Sequence, residues 1–451
     1  MSFPRYPKYK ASGVEWLGDV PERWHATPIK HLGRLKGGAG FPHEKQGVEG
    51  EELSFHKVNA LAQADGDGFL LQSDNTITRD TASQLGAFVF PPQTIVFAKV
   101  GAALLLGRIR LINHDACIDN NMMGLVVQHD QFCIGFVRHA MSLVRFDLIA
   151  NPGAVPSLNE GQIGDFRLPI PPLDEQTKIA SFLDRETSKI DGLVGEQRRL
   201  MELLKEKRQA VISHAVTKGL NPHAPLKPSG IEWLGDVPEH WMVLPLHRVV
   251  QERRRITYGI VQPGEPDPTG RFMVRGQDYS TGWSNPDSIF RVSDAIEVPY
   301  QRARLRSGDL VITIVGAGVG NIAVVPDWLD GANITQTTAR IAVDPRKANP
   351  EFVAGVLQGP IGKRSVELYA KGAAQPGLNL EHVRIFPVTV PPIDEQRQIA
   401  AFIHRETSRL DALTAEAERG IELLQERRAA LISAAVTGQI DVRGLAETEA
   451  A

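Results

Sequence analysis

The chain has 451 residues, of which 42% are hydrophobic and 6% aromatic, and a formal net charge of −3. This length exceeds one ordinary core and predicts two to four domains, while the composition is typical of a globular protein and excludes a disordered one. Gly and Asp interrupt the longest apolar runs, so no membrane span is predicted. The N-terminus lacks the apolar segment of a secretory signal.

The two cysteines, Cys117 and Cys133, suit a reducing cytoplasm and exclude a disulfide scaffold. No pair of histidines lies near them at ligand spacing, so they do not predict a zinc site. The near-neutral charge gives no sign of a nucleic-acid partner, because freestanding DNA-binding domains usually carry a basic excess. A chain of this charge that binds DNA needs local clusters of Arg and Lys, or a basic partner.

The first repeated motif is "SGVEWLGDVPERW" from Ser12, which returns as "SGIEWLGDVPEHW" from Ser229. Each copy precedes a body of about 145 residues, and the two bodies scarcely resemble each other. Short similarities remain: "PGAVPSLN" (152–159) lies opposite "GAAQPGLN" (372–379), and Gly101 lies opposite Gly316. Constant ends with divergent middles predict a shared scaffold that carries two different binding domains.

The first body reads as mixed α/β. Strand-like runs include "FVFPPQTIVFAKV" and "GLVVQ", and residues 132–148 have the pattern of a helix. Its cationic side chains are weak candidates for DNA contacts, since a solvated surface charge is the commoner role of each. These candidates are Lys36, His43, Lys45, Lys57, Lys99, Arg108 and Arg110.

The second repeated motif is a long helix, at residues 171–217 and again at 391–437. Asp174 and Asp394, which follow Pro-Pro pairs, are predicted to cap the two helix starts. Apolar residues then recur at spacings of four and three, which predicts a coiled-coil seam. The predicted seam residues are Ile179, Leu183, Ile190, Leu193, Leu200, Leu204, Val211, Ile399, Ile403, Leu410, Leu413, Leu424 and Leu431. Glu186, Gln197, Lys207, Glu406, Ala417 and Gly420 interrupt this pattern.

The two long helices match without a gap at an offset of 220, with about 27 of 47 positions identical. Some 40 helical residues form a rod of roughly 60 Å. Gly219 with Pro222 ends the first rod, and Gly438 ends the second. Because both rods belong to one chain, they can pair with each other; the gapless match disfavours two unrelated surface helices.

The second body is also mixed α/β, with strand-like runs "DLVITIV", "NIAVV" and "TARIAV" and a helical pattern over residues 351–368. "VGAGVGN" at residues 315–321 resembles a dinucleotide-binding loop, but a strand follows it where that motif requires a helix. The pattern therefore favours a tight turn between two strands.

Arginines cluster in the second body. "YQRARLRSGD" places Arg302, Arg304 and Arg306 two residues apart, so a strand would present all three on one face. Arginine can pair bidentately with guanine, although a solvated charged face is an equally good interpretation of this stripe. The candidate DNA-binding residues of this body are Arg253, Arg254, Arg255, Arg275, Arg302, Arg304, Arg306, Lys363, Arg364 and Lys371.

We find no catalytic motif in the sequence. A P-loop, a methyltransferase signature and a carboxylate–lysine nuclease site are all missing. The thirteen histidines are scattered, and a solvated or hydrogen-bonded role is the default for each. The sequence therefore predicts no catalytic residue and no metal site.

The motifs "PIPPLDEQTKIASFLDRETSKID" and "VPPIDEQRQIAAFIHRETSRLD", with the openers "SG(V/I)EWLGDVPE(R/H)W", closely resemble the specificity subunits of type I restriction–modification enzymes. The resemblance spans essentially the whole chain, although the two bodies match only in plan. It implies an α/β fold in which two mixed α/β target-recognition domains are joined by two long helices that form an antiparallel coiled coil, with a pseudo-two-fold repeat. The implied boundaries are 1–170 and 221–390 for the domains, 171–220 and 391–440 for the helices, and 441–451 for a flexible tail.

The resemblance also implies a function. Each domain would read half of a split site in double-stranded DNA, and the helices would set the spacer between the halves. Two methyltransferase subunits, which use S-adenosylmethionine, and two motor–nuclease subunits, which use ATP and Mg²⁺, would bind a chain that itself holds no cofactor and catalyses nothing. We expect the Asp-Glu-Gln run of each helix to cap the helix or to contact a methyltransferase. The alternatives are a coiled-coil adaptor without DNA specificity and, less favoured, a lone endonuclease.

Overall fold

The computed structural model describes residues 3–65, 68–372 and 376–445. The chain forms two compact units, Met1–Gln197 with Glu418–Ala451, and Arg198–Ala417. Each unit therefore combines one α/β domain with the first half of one long helix and the second half of the other.

The strands and helices of the first repeat follow one another in short segments. The strands are β1 (Tyr9–Ala11), β2 (Asp19–Pro21), β3 (His25–Pro28), β4 (Gly33–Gly37), β5 (Leu53–His56), β6 (Thr76–Ile77), β7 (Ile95–Ala98), β8 (Arg110–Leu111), β9 (Ala116–Ile118), β10 (Met122–Val127) and β11 (Arg167–Ile170). The helices are α1 (Arg79–Gln84), α2 (Ala102–Leu105), α3 (Ile134–Met141), α4 (Phe146–Ile149), α5 (Glu160–Asp165) and the long helix α6 (Leu173–Lys218).

The second repeat has a corresponding series of elements. The strands are β12 (Leu226–Pro228), β13 (Asp236–Pro238), β14 (Met242–Pro245), β15 (Thr257–Tyr258), β16 (Arg271–Val274), β17 (Arg291–Val292), β18 (Leu310–Thr313), β19 (Ile322–Val324), β20 (Asn333–Ile334), β21 (Thr338–Ile341) and β22 (Pro387–Val390). The helices are α7 (Asp294–Glu297), α8 (Pro350–Gln358), α9 (Pro360–Tyr369), α10 (Leu380–Arg384) and the long helix α11 (Ile393–Val436).

The two domains share one topology. The first has a sheet in the order β4-β10-β7-β8 and a smaller one in the order β6-β5-β9. The second has β15-β21-β18-β19 and β17-β16-β20, so each strand has a counterpart in the same place. The predicted fold class, with its mixed α/β domains, long helices and internal repeat, is confirmed.

The pairing registers of the strands show which residues of the two domains occupy equivalent positions. In the small sheets β5 pairs in parallel with β9, and β16 pairs in parallel with β20. Just beyond these pairs, the Asp119 amide donates to the His56 carbonyl at 3.0 Å, and the Thr335 amide donates to the Val274 carbonyl at 3.1 Å. His56 therefore corresponds to Val274, and Asp119 to Thr335.

The predicted similarities between the bodies fall at equivalent positions. Gly101 and Gly316 both have positive φ, which glycine adopts readily, and their amides donate to the carbonyls of Pro156 and Pro376. Residues 373–375 of the second motif lie outside the described residues. The turn predicted for "VGAGVGN" is also confirmed, because β18 and β19, which flank it, pair antiparallel.

Both helices predicted inside the bodies are divided. Residues 351–368 form α8 and α9, which are separated at Gly359. Pro360 explains this break, since proline disfavours helical geometry in the preceding residue. Residues 132–148 form α3 and α4 with a gap between them.

The predicted caps of the long helices are wrong. Asp174 and Asp394 are the second residues of α6 and α11, already inside the helices, and both are exposed. The Pro172 carbonyl accepts the first hydrogen bonds of α6, from the amides of Glu175 and Gln176. A cap requires a side chain just before the helix, which is where proline lies.

Burial along the two long helices follows the period of the predicted seam but departs from it at three positions. Leu193, Leu200 and Leu413 are exposed, by 46%, 42% and 40%. Val194 is buried instead, because the step after Ile190 is four residues and not three, and one residue turns a helix by about 100°. The other predicted seam residues are buried or half-buried, and Ala417, predicted as an interruption, is buried.

Within each unit the long helices run antiparallel. In the first unit Arg428 of α11 pairs with Asp191 of α6 at 2.9 Å. In the second unit Arg208 of α6 lies 3.3 Å from Asp411 of α11. The second pair is the first one displaced by 220 residues, so the repeat in the sequence extends to the contacts between the helices.

The segment after α11 packs onto the first domain. Val442 is fully buried, the Asp441 amide donates to the Pro4 carbonyl at 2.8 Å, and Arg443 pairs with Asp441. The rest of the predicted tail, residues 446–451, lies outside the described residues. The domain boundaries given above stay a prediction. Among the described helices, none is both long enough and apolar enough to cross a membrane.

Candidate nucleic-acid interface

Each domain is attached to its long helix by the repeated motifs. Trp24 of the first opener is fully buried and donates to a carboxylate oxygen of Glu175 at 3.0 Å. Trp241 donates to Glu395 at 3.1 Å in the same way. Burial, reinforced by its hydrogen bond to Glu175, raises the pKa of Tyr6. The glutamate of the Asp-Glu-Gln run therefore links opener and helix in both copies.

The glutamine of the same run links the helix to the body. The Gln176 side chain donates to the Pro171 carbonyl at 2.9 Å and accepts from the Cys133 amide at 2.9 Å, at the start of α3. Gln396 makes the equivalent bonds, both at 2.8 Å, to Pro391 and to Asn349 before α8. The run thus fixes the geometry of each domain on its helix. In the sequence, the signal for this role was that both the Asp-Glu-Gln run and the tryptophan of the opener occur in each repeat.

The arginine stripe of the second domain is not a strand. Residues 298–303 form a 3-10 turn, and Arg304 follows it. The burial pattern still alternates, because Ala303 and Leu305 are buried while Arg302 and Arg306 are exposed. The prediction of three arginines on a strand face is therefore wrong in structure, since Pro299 and the turn replace the strand, but the outer arginines do face solvent.

Several of the predicted DNA contacts are engaged inside the domain, and the strongest of these contacts are those of Arg254 and Arg304. Arg254 pairs bidentately with Asp309 at 2.7 and 2.6 Å, and Arg304 pairs bidentately with Glu297 at 2.7 and 2.6 Å. Glu297 is fully buried. These arginines neutralise buried carboxylates, so their main contribution is to stability.

A residue that sequence reasoning missed holds the arginine segments together. Arg340 is buried on β21, and its guanidinium donates to the backbone carbonyls of Arg255, Arg302 and Arg304. Burial, followed by the positive charge of Arg254, lowers the pKa of Arg340 to about 10. Nothing in the local sequence marks this arginine, because the carbonyls it binds come from distant segments.

The remaining cations of the second domain differ in their environments. Arg253 and Arg255 are exposed, as is Lys371. Lys363 is exposed and donates to Gln209 on α6, and Arg364 pairs with Glu367 on its own helix. Arg275 lines a broad cleft.

This cleft of the second domain has a volume of about 600 Å³. It lies at the end of β18, whereas the arginine segment 302–306 precedes the start of that strand. Its walls include Arg275, Gln277, Asn321 and Gln336. Asp278 holds Arg275 through two side-chain hydrogen bonds at 3.2 and 3.0 Å.

In the first domain, the predicted DNA-binding cations lie near the two ends of β7. Lys99 directly follows this strand. Lys57 and Lys99 are both close to the buried Asp119, because the positive charge of each favours the ionised form of its carboxyl group. Burial nevertheless outweighs them and raises the pKa of Asp119. Lys57 also donates to Gln46 at 2.9 Å. Lys36, His43 and Lys45 are exposed on the adjoining segments.

Arg108 and Arg110 lie toward the other end. Arg110 is opposite Val96 in β7, and its half-buried side chain donates to the Ile109 carbonyl at 2.9 Å. Burial, then the charges of Arg108, Arg138 and Arg428, lowers the pKa of Arg110. Because Arg428 belongs to α11, these arginines lie on the helix side of the domain.

Over residues 3–65, 68–372 and 376–445, no three His, Cys, Asp or Glu side chains cluster in a way that could hold a metal ion. The site is thus defined by cations, amides and backbone loops. These are the groups with which proteins contact phosphates and base edges.

Comparison with known proteins agrees with this geometry. Residues 21–198 match the family described as "Type I restriction modification DNA specificity domain". The chain is 26% identical over 370 residues to the type I restriction enzyme EcoBI specificity subunit of Escherichia coli, covering 80% of this chain and 76% of that one. It is 20% identical to the EcoKI specificity subunit of E. coli K12, covering 95% of this chain and 92% of the relative.

Solved structures show the same fold. A chain from a study of complex assembly and conformational transition of the type I R-M system matches 92% of this chain and 98% of its own length, with a TM-score of 0.68 and 14% identity. The HsdS subunit from Thermoanaerobacter tengcongensis matches 93% of this chain and 98% of its own length, with a TM-score of 0.50 and 15% identity.

The fold is that of a chain from the type I restriction–modification system, and the first repeat matches the DNA specificity domain of such systems. The resemblance expected from the repeated motifs is confirmed: residues 21–198 match the DNA specificity domain family, and most of the chain is similar to specificity subunits of type I restriction enzymes.

Proposed function

We propose that this chain reads a bipartite DNA sequence on behalf of a type I restriction–modification complex, with one domain for each half-site. The observation that carries the proposal is the repeat: two domains of one topology, fixed to their helices by the same Glu–Trp and Gln–backbone bonds, expose different side chains. A duplicated scaffold whose two domains expose different side chains suits the recognition of two different DNA half-sites. The long helices would set the spacer, because their length is fixed by the backbone.

The chemistry would reside on other subunits. Methyltransferase subunits would bring S-adenosylmethionine, and motor–nuclease subunits would bring ATP and Mg²⁺. The exposed faces of α6 and α11, rich in Glu, Arg and Lys, are the proposed docking surfaces for these partners. Basic partners that surround the duplex would supply much of the attraction to phosphates, which a chain of net charge −3 lacks.

The test is to co-express the chain with its methyltransferase partner and to sequence the methylated adenines of the host genome. A bipartite motif with a fixed spacer supports the proposal. Retention of the purified complex on genomic fragments that lack this methylation, compared with methylated or random fragments, gives an independent readout. Equal retention on all fragments would favour an adaptor instead, and Mg²⁺-dependent cutting by the chain alone would favour a nuclease.

A second experiment tests the spacer. Removing the same whole number of helical turns from the middle of α6 and of α11 should shorten the spacer while both half-sites keep their sequences. An unchanged spacer would show that the helices do not set its length.

A further inference from the structure

The registers reveal two equivalent cations that the sequence does not align. Lys57 directly follows β5, Arg275 directly follows β16, and each begins a 3-10 turn. They are equivalent because the residues before them, His56 and Val274, accept the same hydrogen bond from the neighbouring strand. Each domain therefore presents a cation at the same end of its small sheet.

Two amide side chains accompany each cation. Asn59 and Gln277 lie two residues after the cations, within the 3-10 turns. Asn120 and Gln336 lie just beyond β9 and β20. Parallel strands end at the same edge of a sheet, and β9 and β20 pair in parallel with β5 and β16. Both amides therefore lie at the same edge as the cation, and in the second domain all three side chains line one cleft.

These amides differ from the arginines of the stripe in being available. Asn59, Asn120, Gln277 and Gln336 are exposed, and their side chains have no hydrogen-bond partner in the described part of the chain. Contacts to a ligand would therefore break no internal bond. Arg254 and Arg304 pair with buried carboxylates and are absent from the walls of this cleft. Arg275 also pairs with a buried carboxylate, that of Asp278, but it lines the cleft beside the two glutamines. Asp278 holds Arg275 in place, which reduces the entropy lost when that arginine binds.

The chemistry of these side chains matches the base edges of DNA. A side-chain amide can donate to and accept from adenine at once, and Arg or Lys can donate to the two acceptors of guanine. One exposed amide would be unremarkable on any surface. The same arrangement at equivalent places in two domains of divergent sequence is not explained by the fold, because none of the four amides contributes a bond to it.

We infer that the cation and the two amides at this edge read the base pairs of each half-site: Lys57, Asn59 and Asn120 in one domain, and Arg275, Gln277 and Gln336 in the other. The inference rests on the proposed function and names the part of each domain that confers sequence preference. It assigns base recognition to this edge and away from the stripe at Arg302–Arg306.

The experiment compares double variants of the full chain in complex with its methyltransferase partner. The probe is a library of random-sequence DNA duplexes, from which bound members are recovered and sequenced. Gln277→Ala with Gln336→Ala should lower the preference at one or two positions of one half-site by about 10- to 100-fold, with the other half-site unchanged. Asn59→Ala with Asn120→Ala should do the reverse, and Arg275→Ala should act on the same half-site as the glutamine pair.

Matched controls are Gln84→Ala and Gln301→Ala, which remove exposed amides away from this edge. They should leave both half-sites unchanged, and all variants should melt at the wild-type temperature. The inference is overturned if the double variants select the wild-type sequence at both half-sites, or if both half-sites weaken equally. A wild-type complex that selects no sequence would contradict the proposed function itself, which is a different result.

Discussion

At the scale of single residues, neighbouring arginines have different tasks. Arg304 and Arg306 are two positions apart, yet Arg304 is 33% exposed and paired with a fully buried glutamate, while the Arg306 side chain faces solvent. The two therefore separate a stabilising role from a surface role within one stripe. Sequence spacing alone treats them as equals.

We expect Arg304→Ala to lower the free energy of unfolding by about 2–3 kcal/mol, because it leaves the buried Glu297 carboxylate without its main partner. Arg306→Ala is the matched control and should change stability by less than about 0.5 kcal/mol. Urea denaturation of each variant measures both values. Equal losses would show that the Arg304–Glu297 pair does not stabilise the domain.

His56 makes the first domain sensitive to acid. It is fully buried with both ring nitrogens unpaired in the described part of the chain, and burial, with a smaller effect of His114, lowers the pKa of His56 to about 4. The unfolded chain binds a proton near pH 6.5. Between these values the unfolded state holds more protons than the native state, so stability falls as the pH decreases.

The expected loss between pH 6.5 and 4 approaches about 3 kcal/mol, from a pKa difference of about 2.5. His56→Leu removes this titrating group. As the pH falls from 6.5 to 4, the free energy of unfolding should therefore decrease less for the variant than for the wild type. Chemical denaturation at several pH values checks this. A pH-independent difference would mean that His56 does not titrate between its native and unfolded values.

At the scale of elements, the long helices show what a heptad pattern can and cannot locate. The alternation of four- and three-residue steps is present and repeats 220 residues later. Where two apolar residues are adjacent, as at Leu193 and Val194, the period allows either one to face the partner helix. The structure buries Val194, which is 8% exposed.

Val194→Ala should therefore cost about 1–2 kcal/mol of stability, as for the loss of buried methyl groups. Leu193→Ala removes more carbon but should cost less than about 0.5 kcal/mol, because that side chain is largely in water already. Thermal or urea unfolding of the two variants gives the order. The reverse order would show that Leu193 faces the partner helix, as the sequence predicts, and that Val194 does not.

At the scale of the whole molecule, the segment that follows α11 contacts the segment that precedes β2. The Asp441 amide bonds the Pro4 carbonyl, and the Tyr9 hydroxyl bonds the Gly438 carbonyl at 3.0 Å. The first opener thus lies beside the end of α11, as the second opener follows the end of α6 along the chain.

A circular permutant that joins Leu445 to Phe3 by a short flexible linker and opens the chain near Asn221 should fold. The new ends would lie in an exposed loop, and contacts such as Lys218 to the Asp236 carbonyl at 2.6 Å would still hold the separated segments together. Circular dichroism and the melting temperature measure the outcome. A control permutant opened inside β18, at the buried Val311, should fail to fold.

The sequence by itself determined the repeat, the long helices with their period, the central strands of both bodies and the family resemblance, because these features depend on side chains a few residues apart or on direct similarity. Only the tertiary structure decided which arginines are engaged and which side chains meet at the end of each small sheet. Arg254 and Asp309 are separated by 55 residues, and Lys57 corresponds to Arg275 only through strand pairing. Such contacts depend on how distant segments approach one another, and local composition does not encode that approach.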